Sequence, residues 1–317
     1  MNSILLISPV FFSYSEIIKS EIEKKGFSVD FFDDRPPLST FSKALIRKFP
    51  FLFKVKIKKY IDHIIYKSKK KYSKVIVILG QLFDKQDIMR LKSNIEADEW
   101  VYYAWDSFAN FKNIEEIYRL FDRSYSFDRS NCKSVEGLEF LPLFYTFKGS
   151  INFNEKKDRA LVISTIKKGK MKATKQVINE LEKFMTVDKY LFLQSKLVFL
   201  YFKLFDKGFK GMKMKDFKYT RLNYEKTIKL MDEYKYIIDV PMYRQIGLTI
   251  RTFEALALNC KLLTSNEDIV NYDFYNSSNI FIFNRDNIKD FLSCGYETNC
   301  YILNYSASKF VERLLGI

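Results

Sequence analysis

The feature that most constrains this chain is a rhythm: short apolar, β-branched runs alternate with stretches whose apolar residues recur at helical spacing, and the pattern runs through twice. In the first half, strands are expected at 4–7, 27–32, 74–79, 100–104 and 124–127, with helices at 15–25, around 88–91 and near 114–120. Gly26 closes the first helix as a C-cap signal. Strands that are apolar on both faces and separated by helices build a mostly parallel sheet covered on both sides. The rhythm restarts beyond a crossing at 138–157, with strands at 160–164, 190–193, 236–239 and 261–264 and helices at 174–184, 225–234, 249–258 and 306–315. Two successive systems of about 150 residues each fit two Rossmann-like α/β domains better than one oversized sheet. The expected domains are 1–150 and 151–317, with the last helix able to pack back on the first.

At 317 residues and 47% apolar content there is ample material for two cores. The 53 basic against 38 acidic residues give a net charge of +15, concentrated in two tracts. Between 43 and 74, Arg47, Lys48, Lys54, Lys56, Lys58, Lys59, Lys67, Lys69, Lys70 and Lys71 are opposed only by Asp62. A basic-aromatic tract then spans 196–218. Two readings stand for these tracts, a solvated face and attachment to an anionic membrane surface. Nucleic acid is not expected as a partner, since no recognition module accompanies the charge.

Cys132, Cys260, Cys294 and Cys300 lack Cys-x-x-Cys spacing, which points to a reducing compartment rather than a disulfide framework. The first residues lack a basic n-region and long apolar run, and no apolar stretch reaches the roughly 20 residues that a bilayer span requires. The expected location is the cytoplasm, with peripheral attachment to the inner membrane face as the option the basic tracts leave open.

The most informative segment runs from Asp239 to Asn266 and reads as strand, loop, helix, strand. Gly247 and Thr249 stand at the helix start, and Arg251 and Glu254, three residues apart, share a helix face. Open α/β sheets bind nucleotides beyond the carboxyl ends of their strands. There, helix-start N–H groups and a guanidinium hold a pyrophosphate, while a carboxylate accepts ribose hydroxyls. An exposed i,i+3 surface pair is the plainer alternative.

This segment, Gly247-Leu-Thr-x-Arg251-Thr-x-Glu254-Ala-Leu-Ala followed by Lys261-Leu-Leu-Thr-x-Asn266 and Asn271-Tyr-Asp-Phe-Tyr-Asn-x-x-Asn279, resembles the C-terminal domain of bacterial GT-B glycosyltransferases of capsule, lipopolysaccharide and exopolysaccharide assembly. Tyr103-Ala-Trp105-Asp106-Ser107, Phe121-Asp-Arg-Ser-Tyr-Ser-Phe127-Asp128 and Phe140-Leu-Pro-Leu-Phe-Tyr145 look like the matching acceptor-side pattern. The resemblance implies two Rossmann-like domains facing a central cleft. It also implies transfer of a sugar from a nucleoside-diphosphate donor, UDP- or GDP-linked, to a glycan or polyprenyl-linked acceptor. By it, Glu254 binds the donor ribose, and Arg251 with Lys168 or Lys170 neutralises the diphosphate. Gly247, Thr249, Thr252 and Arg244 line the same site.

No Asp-x-Asp motif is present, so neither metal nor cofactor is expected, and cationic side chains with a helix dipole take the leaving-group charge. Many retaining members carry a second Glu eight residues before the ribose-binding one, where this chain has Ile246, so the stereochemistry stays open. An inverting reaction needs a base. The loop at 8–14 has no carboxylate or His, leaving Asp106 first, followed by Asp33, Asp34 and Asp128. Asp106 also suits a helix N-cap. Gly80, Gln81, Trp105 and Asp128 are the acceptor-side candidates. The alternative to a transferase is a non-catalytic nucleotide-sugar-binding or scaffold protein of a polysaccharide assembly complex.

Overall fold

The computed structural model describes residues 2–10, 13–37, 46, 50–68, 70–106, 108, 113–242 and 245–317. They form two compact units, 1–142 with 307–317, and 143–306.

The first unit is built on β1 (Ser3–Ile7), β2 (Ser28–Phe32), β3 (Tyr72–Ile78), β4 (Ala97–Ala104), β5 (Arg123–Ser126) and β6 (Glu139–Phe140). All pair in parallel, in the order β2-β1-β3-β4-β5-β6. Every residue of β1 is buried, as a central strand with helices on both faces requires. Its described helices are α1 (Tyr14–Lys24), α2 (Lys54–Lys67), α3 (Lys85–Asn94), α4 (Asn113–Ile117) and α5 (Arg129–Ser134). The basic run between the second and third strands contains α2, whose Ile57, Ile61 and Ile64 enter the core while its lysines point outward. Gly26, at φ +89°, ends α1 as its position predicts.

The second unit holds β7 (Lys157–Thr165), β8 (Val187–Phe192), β9 (Tyr234–Asp239), β10 (Lys261–Thr264) and β11 (Ile280–Ile282), again all parallel, in the order β11-β10-β9-β7-β8. Between them run α6 (Lys170–Leu181), α7 (Lys196–Phe205), α8 (Tyr224–Asp232) and α9 (Ile250–Ala257), and α10 (Ile288–Ser293) follows β11. Lys170 is the first residue of α6. Helix α9 stops at a left-handed Asn259, where the Cys260 N–H returns to the Ala255 carbonyl at 3.0 Å.

Residues 143–150 belong to the second unit rather than the first, for a local reason. Gly149 donates its N–H to the Ala257 carbonyl at 2.8 Å, and a Cβ there would lie 2.6 Å from the Leu258 oxygen, so only glycine permits the approach. Ser150 adds its N–H and hydroxyl to the Asp232 carboxylate at 3.0 and 2.8 Å.

The last helix, α11 (Ala307–Leu315), completes the first unit. Phe310, Val311, Leu314 and Leu315 are buried, Phe310 meets Tyr103 edge-on at 5.0 Å, and Glu312 pairs with Lys25 at 2.5 Å.

Candidate functional site

In the second sheet β7 lies between β8 and β9, so the chain leaves β7 toward one edge and later returns on its other side. Such a reversal opens a crevice at the carboxyl ends of the two central strands. The carboxyl end of β7 leads through Ile166, Lys167, Lys168 and Gly169 into α6, and that of β9 is Asp239.

Asp239 organises this corner. Its Oδ2 accepts the hydroxyls of Thr249 at 2.6 Å and Thr252 at 2.9 Å, so the start of α9 is fastened to the end of β9. Thr249 stands at the N-cap of α9, yet its hydroxyl faces Asp239 instead of the helix N–H groups. Thr252 is buried and spends its proton in the same way, which makes both threonines fasteners of the helix start rather than groups aimed at a ligand. Gly247 is buried just before them, its carbonyl accepting from the Gln245 side chain at 3.0 Å.

Lys170 is half-buried at the start of α6. Burial pushes its ammonium below the ordinary lysine range; Asp239 opposes that shift, while Lys167 and Arg251 add to it. Asp239, Arg251 and Lys167 therefore all lie near enough to Lys170, at the ends of β7 and β9, for their charges to act on it. Lys168 is exposed and takes no part in that set. Sequence spacing offered Lys168 and Lys170 equally; only the helix start distinguishes them.

Arg251 and Glu254 do share a helix face, with Arg251 Nη1 donating to Glu254 Oε2 at 2.8 Å. This is not an exposed surface pair, because the Glu254 side chain is 1% exposed and that of Arg251 is 19% exposed. The guanidinium is the more accessible partner. Glu254 is also bonded to the Tyr224 hydroxyl, whose phenol is pushed far up first by burial and then by the Glu254 charge. Thr146 completes the chain by hydrogen bonding Tyr224. Tyr224 and Asp239 carried no role in the sequence reading. The signal available for Asp239 was an acidic residue closing a β-rich run ahead of two threonines. Tyr224 had none. Arg244 lies outside the described residues.

In the first unit the equivalent reversal falls between β1 and β3, since β1 is flanked by β2 and β3. After β3, Leu79 and Gly80 both adopt left-handed backbone, at φ +65° and +60°. The Tyr102 hydroxyl holds the Leu79 carbonyl at 2.9 Å, and Asp34 Oδ2 accepts the Gln81 N–H at 3.3 Å. Asp34 is fully buried beside Arg35 Nε at 3.2 Å. Burial raises its carboxyl to about 7, with Arg35 opposing the shift and Asp33 adding to it.

The other carboxylates differ. Asp128 is buried and caps α5, with Oδ1 accepting the N–H and hydroxyl of Ser130 at 3.0 and 2.6 Å. Asp106 is half-buried two residues beyond β4, and residues 107 and 109–112, which its N-cap role would involve, lie outside the described set. Trp105 packs against Tyr103 and Tyr14, with centroids 5.8 and 6.0 Å away, and faces Phe310 at 6.4 Å. Among the described residues no group of three or more His, Cys, Asp or Glu is placed to hold a metal ion, and no helix is long and apolar enough to cross a membrane.

No family model matches the chain, and no curated protein matches it. Solved structures do. Anabaena HepE in complex with UDP-glucose is 11% identical, with 100% of this chain and 99% of that one covered, at a TM-score of 0.62. An α,α-trehalose-phosphate synthase (UDP-forming) from Burkholderia vietnamiensis is 7% identical, with 100% and 99% covered, at 0.64. The UDP-GlcNAc 2-epimerase of Methanocaldococcus jannaschii, in complex with UDP-GlcNAc and UDP, is 13% identical over 100% and 99%, at 0.54. At such identities the likeness carries the fold, and the fold is two parallel-sheet α/β domains of the GT-B glycosyltransferase kind.

Proposed function

We propose that the chain transfers a sugar from a nucleoside-diphosphate donor, UDP- or GDP-linked, to a growing bacterial surface glycan carried on a lipid. The observation that carries this reading is the gathering of Lys170, Arg251 and the start of α9 at the ends of β7 and β9, with a buried carboxylate, Glu254, directly behind Arg251. Cations at a helix start suit a diphosphate, and a carboxylate one turn further on suits ribose hydroxyls.

In the reaction, the bond from the anomeric carbon to the diphosphate oxygen breaks and a bond to the acceptor oxygen forms. The departing diphosphate takes the electron pair, and Arg251 and Lys170 stabilise its charge without a metal. The acceptor hydroxyl gives up its proton to a base, for which Asp106 is the candidate. HepE, co-crystallised with UDP-glucose, supports a nucleotide sugar as the ligand of this fold.

Calorimetric titration with UDP, GDP and their sugars tests donor binding, and product analysis with a glycan acceptor tests transfer. Nucleotide binding followed by a transferred sugar supports the proposal. Binding with epimerised sugar and no transfer would assign the chain to the chemistry of the epimerase that shares its fold, binding without turnover would favour the scaffold alternative, and no nucleotide binding would end the reading.

A further inference from the structure

Helix α7 carries an apolar face that its own unit does not cover. On its inner side Phe199 is buried against Phe209 and Phe217, with ring centroids 6.0 and 5.6 Å away, and Phe202 leans on Phe209 at 5.2 Å. On the outer side Leu197, Leu200, Tyr201, Leu204 and Phe205 are 46–78% exposed. Their spacings of three and four place all five on one stripe. Scattered exposed leucines need no explanation, but a contiguous stripe of this kind marks a surface that something covers.

The charge around the stripe identifies the cover. Residues 196–218 contain seven lysines and two aspartates. Both aspartates are spent on backbone N–H groups: Asp206 accepts from Gly169 at 2.7 Å and Gly208 at 2.9 Å, and Asp216 accepts from Lys213 at 2.7 Å. Lys196, Lys203, Lys207, Lys210, Lys213 and Lys215 are exposed. Just beyond the helix, Lys172, Lys175, Lys207 and Lys210 line an open depression of about 500 Å³. Gly208 in its lining approaches α6 so closely that a Cβ there would lie 2.7 Å from the Lys172 backbone nitrogen.

An exposed leucine and phenylalanine stripe beside a lysine basin matches the layering of an anionic bilayer surface, acyl chains below phosphates. Nucleic acid would use the lysines and leave the stripe in water, and a second copy would press like charges together. With ten residues and about 15 Å of length, α7 is too short to cross the bilayer and suits its interface. We propose that α7 seats the second unit on an anionic phospholipid surface, its apolar stripe at the headgroup boundary and the basin of Lys172, Lys175, Lys207 and Lys210 on lipid phosphates. This deepens the lipid-linked part of the proposed function, but vesicle binding is read without turnover, so either can fail alone.

The test is co-sedimentation of the full chain with phosphatidylcholine vesicles, with and without phosphatidylglycerol. Binding is expected only with the anionic lipid and is expected to weaken with salt. The double variant Leu197→Glu, Leu204→Glu should lower vesicle affinity by about tenfold or more, while melting temperature and UDP binding stay unchanged because both side chains face solvent. Lys207→Glu with Lys210→Glu should lower it as well. The proposal is overturned if wild type ignores anionic vesicles, or if the leucine variant binds as well as wild type. It is equally overturned if inorganic phosphate at millimolar concentration abolishes sedimentation, which would make the basin a small-anion site. Replacing Leu52 and Val55, exposed in the first unit, with Glu serves as the comparison and should leave most binding intact.

Discussion

Arg251 lies across Glu254 like a latch, its Nη1 2.8 Å from an oxygen of a carboxylate that is itself 1% exposed. Under the proposed function, a nucleotide at the start of α9 meets the guanidinium first, and the carboxylate reaches ribose hydroxyls only if the guanidinium turns toward the diphosphate. Glu254→Gln keeps the shape and removes the charge, so it should weaken UDP or GDP binding by about tenfold or more with a small change in melting temperature. Glu254→Ala should lose binding and also destabilise by about 1–3 kcal/mol, because Arg251 and Tyr224 lose a buried partner. Titration calorimetry beside thermal unfolding separates the two effects, and undiminished binding in both variants would remove Glu254 from the site.

Lys170 should show its depressed ammonium in the pH dependence of binding. A diphosphate favours the charged form that burial disfavours, so wild-type affinity should fall with rising pH earlier than an ordinary lysine would make it fall. Lys170→Arg, charged throughout, should hold its affinity to higher pH. Lys170→Met should bind weakly at all pH values. Isotherms between neutral and alkaline pH check this, and parallel profiles for the three proteins would contradict it.

Asp34 predicts a stability slope of opposite sense to the usual carboxylate. Its carboxyl is raised from 3.8 to about 7, so between those values the folded protein keeps a proton that the unfolded chain has released. This contribution is fully present below pH 3.8 and is lost as pH rises through about 7. Asp34→Asn keeps an acceptor for the Gln81 N–H and removes the titration. The difference in unfolding free energy between variant and wild type should therefore shift in the variant's favour from pH 5 to pH 8, as denaturant melts at each pH would show.

The Lys156 ammonium, wholly buried, donates to Asp232 Oδ1 at 2.6 Å. Burial alone would raise the Asp232 carboxyl, but the hydrogen bonds from Lys156 and Ser150 hold it below the ordinary range. Lys156→Met strands that carboxylate and should cost about 3–5 kcal/mol. Because the Asp232 contribution is present above the ordinary carboxylate range and disappears as pH falls through its lowered value, the cost should shrink on acidification. Urea unfolding at neutral and acidic pH measures both.

The strands were the most legible part of the chain, because a run such as Val75 to Ile78, apolar on both faces, has few folds open to it beyond a covered parallel sheet. Helix α9 was equally plain, and with it the pairing of Arg251 with Glu254. Burial depth was not legible: nothing in the spacing of Arg251 and Glu254 says which lies beneath the other, since that follows from Tyr224, 30 residues earlier in sequence. Asp128 was offered as a site carboxylate by the resemblance of Phe121–Asp128 to an acceptor-side pattern, which does not reveal that its Oδ1 is engaged in capping α5 through Ser130. The seat of 143–150 in the second unit rests on contacts distant in sequence, Gly149 against Leu258, Ser150 on Asp232 and Thr146 on Tyr224, which no local pattern announces.

The seating of α11 on the first unit bears on the order in which the protein is made. Tyr103 and helix α1 are translated early, yet the helix that packs beside them arrives only after all of 143–306 has been synthesised. The first unit is thus completed only after the second has been made, and until residue 315 emerges the nascent chain carries an unsealed apolar flank that chaperones are suited to guard.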